Sequence, residues 1–190
     1  MNVLTRQFYE RDPETVAKNL LGKRLIRRLR KTVLEGILVE TEAYYGLEDP
    51  ASRAYRGLKT YNRSMWGEPG KIFIYNVHKY WMLNVVSHQP GRIGAVLIRA
   101  VEPVRGLEIM KRNRKVKDIF ELVSGPGRLT QAFGVDKSLN ESDVTLKEGE
   151  VLILANKIKF RLGTSHRIGV KKDLHRKLRF FIKGNRFVSR

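Results

Sequence analysis

The sequence predicts an α+β fold built on an antiparallel sheet. Five strand-like segments follow one another in the first half of the chain, the middle third is helical, and strand-like segments return after residue 150. Strands joined by short connections pair antiparallel, because a parallel pair needs a crossover of a dozen or more residues. Separate runs of strands and helices are typical of α+β proteins and disfavour repeated βαβ units.

The first predicted element is a helix that begins after Asp12. Asp12 is the expected N-cap, Pro13 occupies the first helical position, and Gly22 ends the helix. From Lys23 the periodicity is that of strands, and residues 25–39 predict a hairpin around the turn at Arg30-Lys31. A turn-rich segment at 46–70 precedes three more predicted strands, which are residues 72–75, 82–86 and 95–98.

The second half begins with two predicted helices. Pro103 is expected to open a helix that contains Val104 and Met110, and a second helix begins near Pro126 and ends before Gly134. The last predicted strands are residues 151–154, 158–162 and 178–183. No repeat or linker interrupts the pattern, so we expect residues 1–190 to form a single domain.

The chain is strongly basic. Its 38 lysines and arginines against 19 aspartates and glutamates give a net charge of +19, which indicates a polyanionic partner, with nucleic acid as the first candidate. Residues 157–190 hold twelve of the cations and one acid, Asp173. This segment predicts phosphate contacts, and the alternative interpretation is a solvated, solubilising surface.

The composition also excludes several classes of site. The chain has no cysteine, so disulfides, iron–sulfur clusters, cysteine-ligated zinc and a cysteine nucleophile are ruled out. The four histidines lack the spacing of metal ligands, and no metal site is predicted. No apolar run approaches a membrane span and no signal-type segment follows Met1, so we expect an intracellular protein that does not bind membranes.

Aromatic residues are concentrated in one fifth of the chain. Six of the seven tyrosines and both tryptophans lie between Tyr44 and Trp81, interleaved with Arg53, Arg56 and Arg63. Rings and cations in alternation suit a surface that stacks bases and holds the phosphate backbone. Strand patterning explains Tyr75, Tyr80 and Trp81 equally well as core residues.

Two carboxylates stand on one face at the end of a predicted strand. Glu40 and Glu42 are two residues apart, and Glu42 leads into the aromatic segment, where loss of hydration would raise its pKa toward that of a general base. The ordinary interpretation is a solvated strand face. A second candidate is the predicted helix start at Ser124-Gly125-Pro126, whose backbone N–H groups could bind a phosphate.

The chain resembles the alkyladenine (3-methyladenine, methylpurine) DNA glycosylase family. The two most specific blocks are VETEAY at residues 39–44 and LIRAVEP at residues 97–103. Shorter matches follow in the family's order and spacing over nearly the whole chain, and they include EDPAS at 48–52, YRG at 55–57, SGP at 124–126, RIG at 167–169 and LRF at 178–180.

The resemblance implies a single compact α+β domain around a curved antiparallel sheet with flanking short helices. It implies an enzyme that flips damaged purines (alkylated, deaminated or etheno adducts) out of double-stranded DNA and hydrolyses the N-glycosidic bond, which starts base excision repair. No cofactor is implied. We expect a monomer that acts with the DNA inside the cell, since a pocket of this kind requires one chain.

The resemblance also implies roles for particular residues. Glu42 would be the general base that activates water, and Tyr44 and Tyr75 would sandwich the flipped base. Asn84 would lie at the pocket floor, where bulk disfavours the 2-amino group of guanine. Arg99 would hold the backbone phosphate beside the extruded nucleotide.

Two positions depart from the family pattern. Arg53 stands where the family commonly has histidine, opposite Tyr44 in the base-binding pocket, and a cation there should disfavour a cationic alkylated base. His78 aligns with the intercalating wedge, usually a tyrosine, and a smaller wedge should hold the flipped state less well. These departures keep open an alternative function, a non-catalytic module that recognises damaged DNA or RNA.

Overall fold

The computed structural model describes residues 2–189 and contains one curled antiparallel sheet of eight strands. Six strands lie in the order β3-β4-β5-β2-β1-β6, and β8 pairs with both β2 and β7. The strands are β1 (Arg24–Leu29), β2 (Thr32–Tyr45), β3 (Ile72–Val77), β4 (Tyr80–Val86), β5 (Gly94–Arg105), β6 (Val151–Leu154), β7 (Leu162–Ser165) and β8 (Arg179–Ile182). The predicted α+β class and antiparallel pairing are confirmed.

Short helices flank the sheet. They are α1 (Arg6–Tyr9), α2 (Pro13–Leu20), α3 (Leu107–Arg114) and α4 (Pro126–Phe133), with single 3₁₀ turns at Arg63–Trp66, Ile119–Glu121 and Lys137–Leu139. The prediction for α2 is confirmed, because the Asp12 carboxylate accepts hydrogen bonds from the N–H groups of Glu14 and Thr15. Gly22 follows with a φ of 79°, a conformation in which a side chain would be strained.

The structure corrects two of the predicted elements. Pro103 and Val104 do not open a helix, since β5 continues to Arg105 and α3 begins only at Leu107. Proline is tolerated in this strand because the β2–β5 pairing is irregular there, with Gly36 opposite Pro103 and Glu35 opposite Arg105. The strand predicted at 158–162 lies later, at Leu162–Ser165, where it pairs with β8.

The sheet buries different residues on its two faces. One face packs against α2 and α4, and its apolar residues join those of the helices in the main core. That face carries Ile74, Leu83, Val96, Ile98 and Ala43. Successive side chains of a strand point to opposite faces, so their neighbours lie on the second face. A smaller cluster buries that face, and it includes Tyr44, Met65, Phe73, Met82, Ala95 and Leu97.

Two irregularities in the pairing of β2 with β5 place the charged side chains of Glu40 and Arg99 on the second face. Leu38 pairs with Val101, but Glu40 pairs with Ala100 and Thr41 with Ile98. Val39 of β2 and Arg99 of β5 therefore have no direct partner in this pairing, which is the arrangement of β-bulges. The bulges bring Glu40 and Arg99 together on the face that also carries Glu42.

Within residues 2–189, no helix has the length and the apolar character needed to cross a bilayer.

Candidate active site

The Glu42 carboxylate is fully buried and held by three groups. Its Oε1 accepts a hydrogen bond from the Ile168 N–H at 2.8 Å and lies 3.2 Å from Nη1 of Arg99. Its Oε2 accepts a hydrogen bond from the Tyr44 hydroxyl at 2.8 Å. The ordinary interpretation of Glu40 and Glu42 as a solvated strand face is wrong, because both side chains have no exposed surface.

Burial raises the pKa of Glu42, and Arg99, the Ile168 N–H and the Tyr44 hydroxyl only partly oppose this effect. A carboxylate with a raised pKa is a better proton acceptor than an ordinary glutamate. Each of its oxygens has two lone pairs, so it can accept a further hydrogen bond beyond those already made. These properties are compatible with the general-base role expected of Glu42, which stays a prediction.

The Arg99 guanidinium lies between the carboxylates of Glu40 and Glu42. Its Nε donates to Oε1 of Glu40 at 2.7 Å, and its Nη1 faces Glu42. Burial lowers the pKa of Arg99, but Glu42 and Glu40 outweigh it and the pKa is raised, so the arginine is charged. The phosphate contact expected of Arg99 stays a prediction, since the structure contains no DNA and the side chain is 94% buried.

Four residues predicted for the base-binding pocket line one cavity. These are Tyr44, Arg53, Tyr75 and Asn84, joined by Met65, Phe73 and Ala95. The cavity is about 10 Å³, room for a single water, and the exposed Arg53 is one of the residues that line it. The exposed Arg53 side chain stacks its guanidinium on the Tyr75 ring, 4.5 Å from the ring centroid.

Asn84 is held firmly within the pocket. Its amide nitrogen donates hydrogen bonds to the carbonyls of Phe73, across the β3–β4 pair, and Met82, on its own strand. The cavity is thereby lined by an amide whose orientation is fixed by the backbone. Its proposed exclusion of guanine stays a prediction.

His78 lies apart from this cavity, at the tip of the β3–β4 hairpin. It is exposed and has a φ of 52°, a left-handed conformation that is uncommon for residues with side chains. The structure therefore presents this side chain on a sharp, accessible turn. Its intercalation into DNA stays a prediction.

Arg167 is a component of the site for which the sequence suggested no role. Its guanidinium pairs with Asp49 at 2.6 Å and also with Asp173, and it lies over the Tyr44 ring at 4.5 Å. Burial lowers the pKa of Arg167, but the hydrogen bonds to the two aspartates outweigh it and raise the pKa. Arg167 thus fixes Tyr44 and precedes Ile168, whose N–H reaches Glu42. The only sequence signal was its place in the RIG block.

The aromatic cluster divides between these environments. Tyr44 and Tyr75 line the cavity, whereas Trp81 packs against the main core as the alternative interpretation predicted. Tyr55 and Tyr61 are about half exposed, at 49% and 52%. The segment is therefore not one continuous stacking surface.

The basic segment 157–190 is only partly available to phosphates. Arg167 and Arg179 are buried against carboxylates, and Arg176 pairs with Glu14. Arg167 and Arg179 neutralise the buried acids Asp49 and Glu40, which unpaired would be costly to bury, whereas the Arg176 side chain is half exposed. The expectation that the whole segment forms a phosphate-binding surface is corrected accordingly.

A second and larger cavity, of about 490 Å³, borders Arg99. It is lined by Arg99 and Ser189, together with Phe120, Ser124, Arg128 and Arg186. Gly125 lines this cavity and precedes α4, so the helix start that the Ser124-Gly125-Pro126 pattern predicts is confirmed. Phosphate binding there stays a prediction.

The chain is similar to known proteins over nearly its whole length. The family model "Methylpurine-DNA glycosylase (MPG)" matches residues 7–186. The chain is 41% identical to a "Putative 3-methyladenine DNA glycosylase" of Carboxydothermus hydrogenoformans, with 99% of each chain covered. It is 37% identical to a protein of the same name from Aeropyrum pernix, with 99% of this chain and 93% of that protein covered.

These matches span the blocks that carry Glu42, Tyr44, Arg99 and Arg167, and they extend over nearly the whole chain. The chain thus combines an α+β fold and a buried carboxylate beside a ring-lined cavity with full-length similarity to proteins named as putative 3-methyladenine DNA glycosylases. The chain belongs to the methylpurine-DNA glycosylase family, a family of DNA glycosylases.

Proposed function

We propose that this protein is a monofunctional DNA N-glycosylase that removes damaged purines from duplex DNA with a water molecule activated by Glu42. The observation that carries the proposal is the buried Glu42 carboxylate, bonded to the Tyr44 hydroxyl, where Tyr44 also lines the ring-lined cavity. We further propose that a single chain acts with the DNA inside the cell.

The reaction begins when the damaged nucleotide leaves the base stack. Extrusion of a base costs a few kcal/mol, least where damage has already weakened pairing, and this difference supplies part of the selectivity. The flipped base displaces Arg53 and stacks between Tyr44 and Tyr75. His78 fills the gap left in the duplex, and Arg99 holds the adjacent phosphate.

Hydrolysis then exchanges one bond for another at the sugar. The C1′–N bond breaks and its electron pair stays with the leaving purine, while the oxygen of water bonds to C1′ and a water proton passes to Glu42. The sugar acquires oxocarbenium character, and the negative charge of Glu42 stabilises it. No step uses a lysine Schiff base.

The decisive test replaces Glu42 by glutamine. Duplex oligonucleotides that carry hypoxanthine, ethenoadenine or 3-methyladenine-type damage are incubated with the enzyme, and alkali then reveals abasic sites as strand breaks. E42Q should keep its affinity for lesion DNA and lose at least about 100-fold in rate, the contribution of a general base.

The matched control is E35Q, the same substitution at another buried glutamate of β2, which pairs with Arg24 away from the cavity. It should retain turnover. Wild-type turnover by E42Q would remove Glu42 from the proposed role. Binding without strand breaks by the wild-type protein would favour the alternative function, a non-catalytic module that recognises damaged DNA or RNA.

A further inference from the structure

The buried Glu40 carboxylate accepts four hydrogen bonds, and the proposed reaction gives it no step. Its Oε1 accepts hydrogen bonds from Nε of Arg99 at 2.7 Å, Nε of Arg179 at 2.8 Å and the Ser189 hydroxyl at 2.8 Å. Its Oε2 accepts one from the Ser189 N–H at 2.6 Å. We call Glu40, Arg99, Arg179 and Ser189 the Glu40 network.

Arg179 and Ser189 also bind each other. Nη2 of Arg179 donates to the Ser189 carbonyl at 2.8 Å, and its Nη1 donates to the Ser165 hydroxyl at 3.0 Å. The Ser189 hydroxyl lies 3.2 Å from Nη2 of Arg99. β8 and the segment that contains Ser189 are both distant from Glu40 in sequence. Their hydrogen bonds fix the position of Glu40, and through it the position of Arg99.

The charges of this region balance only when Arg179 is included. Glu40 and Glu42 carry two negative charges, and Arg99 and Arg179 carry two positive charges, all at least 90% buried. Without Arg179, Arg99 alone would face both carboxylates and would be drawn toward Glu40, to which it donates its shortest hydrogen bond. Glu42 would then lose part of its pairing with Arg99.

We infer that Arg179 and Ser189 are positioning residues, which act through Glu40 to hold Arg99 against the Glu42 carboxylate. The inference rests on the proposed function, because it needs Glu42 as the base. It assigns a part in the reaction to β8 and to the segment that contains Ser189, although the inference requires neither of them to contact the base or the water.

The inference predicts a particular change in pH dependence. The groups that face Glu42 are Arg99 from β5, Tyr44 and Glu40 from β2, the Ile168 N–H, and the more distant Tyr75 of β3. Removing the positive charge of Arg179 leaves Glu40 less neutralised, and a negative charge nearby favours the protonated form of Glu42. When the solution is acidified, the excision rate of such a variant should therefore begin to fall at a higher pH than the rate of the wild-type protein.

The experiment measures single-turnover excision of hypoxanthine by saturating enzyme across the acidic pH range. In R179Q the rate at neutral pH should fall by about 10- to 100-fold, the size of effect that misplacement by about 1 Å produces. The acid limb of the pH profile should move to higher pH. Affinity for lesion DNA should stay within about threefold, and R179K, which keeps the charge, should return the acid limb toward its wild-type position.

A second pair of variants keeps the test decisive if R179Q does not fold. S189A removes one donor to Glu40 and should lower the rate by a smaller factor, and S189T, which keeps the hydroxyl, should restore it. The matched control is R24Q, which breaks the Arg24–Glu35 pair on the β1–β2 hairpin. It should change neither the rate nor the pH profile.

The outcomes separate this inference from the proposed function. If E42Q abolishes excision while R179Q and S189A keep the wild-type rate and pH profile, the inference is overturned and the proposed function stands. If E42Q retains excision, the proposed role of Glu42 is overturned, and the inference that depends on it is overturned as well. A rate loss in R179Q that R24Q reproduces, with an unmoved acid limb, would show a structural role only and would also overturn the inference.

Discussion

Both faces of the β2–β5 pair are excluded from solvent, but one is buried by apolar packing and the other by pairing of charged side chains. On the face covered by α2, residues such as Ile98 pack among apolar side chains. On the other face, Glu40, Glu42 and Arg99 are buried against one another. Burying an apolar side chain stabilises the fold by about 1.5–3 kcal/mol, whereas a buried ion pair is often no better than an apolar replacement.

The difference teaches where the sheet obtains its stability and where it obtains its chemistry. Ile98 and Arg99 are adjacent in sequence, yet one belongs to the main core and the other to the Glu40 network. The helix-covered face supplies free energy of folding. The charged face keeps polar groups that must be fully paired, because one missing partner leaves a buried charge.

The largest effect should come from breaking a buried ion pair on the charged face. R167M leaves the fully buried Asp49 without its cation, and the free energy of unfolding should fall by about 3–5 kcal/mol. Urea unfolding measures this loss. The control R176M removes a half-exposed arginine that pairs with Glu14, and it should cost no more than about 1 kcal/mol. Equal losses in the two variants would contradict the distinction.

A comparable loss of stability, without a loss of activity, is expected from the helix-covered face. I98A removes buried methyl groups and should lower the free energy of unfolding by about 2–5 kcal/mol, by lost burial and by the cavity that remains. Excision of hypoxanthine by the folded protein should be unchanged at a temperature well below its midpoint. A rate loss of tenfold or more in I98A would show that the two faces are not independent.

The smallest effect on stability, and a change only in selectivity, should follow substitution at the mouth of the cavity. R53Q removes a positive charge from an exposed side chain and should alter the free energy of unfolding by about 0.5 kcal/mol or less. Excision of cationic 3-methyladenine relative to neutral hypoxanthine should rise about fivefold or more, because two unit charges 4 Å apart repel by ~1 kcal/mol even in water.

The control for this selectivity test is R56Q, at an exposed arginine of the same segment that does not line the cavity. It should leave the ratio of the two rates at its wild-type value. An unchanged ratio in R53Q would mean that the arginine leaves the site entirely when the base enters.

Local signals in the sequence predicted most of the fold. Asp12 and Pro13 predict the start of α2 because capping depends only on neighbouring residues. The strands β3 and β4 follow from their apolar runs and from the turn at His78-Lys79. Pro103 shows the limit, since a local helix-start signal was overridden by the irregular pairing of β5 with β2.

The candidate site was predicted in part. The family resemblance brought Tyr44, Arg53, Tyr75 and Asn84 together, and the structure places all four around one cavity. It suggested no role for Arg167 or Arg179, because their partners lie far away in the chain. The nearly closed cavity was also unforeseen, since it depends on where the Arg53 side chain packs.

By itself, the sequence determined the α+β class, the helix caps, the alternation that puts Glu42 and Tyr44 on one face, and the excess of positive charge. These follow from composition and from interactions between residues close in the chain. Only the tertiary structure decided that Glu40 and Glu42 are buried, that Arg99 and Arg179 neutralise them, and that Ser189 completes the network. The reason is physical: burial and long-range ion pairing depend on the packing of distant segments and on bulges in strand register, which no local pattern encodes.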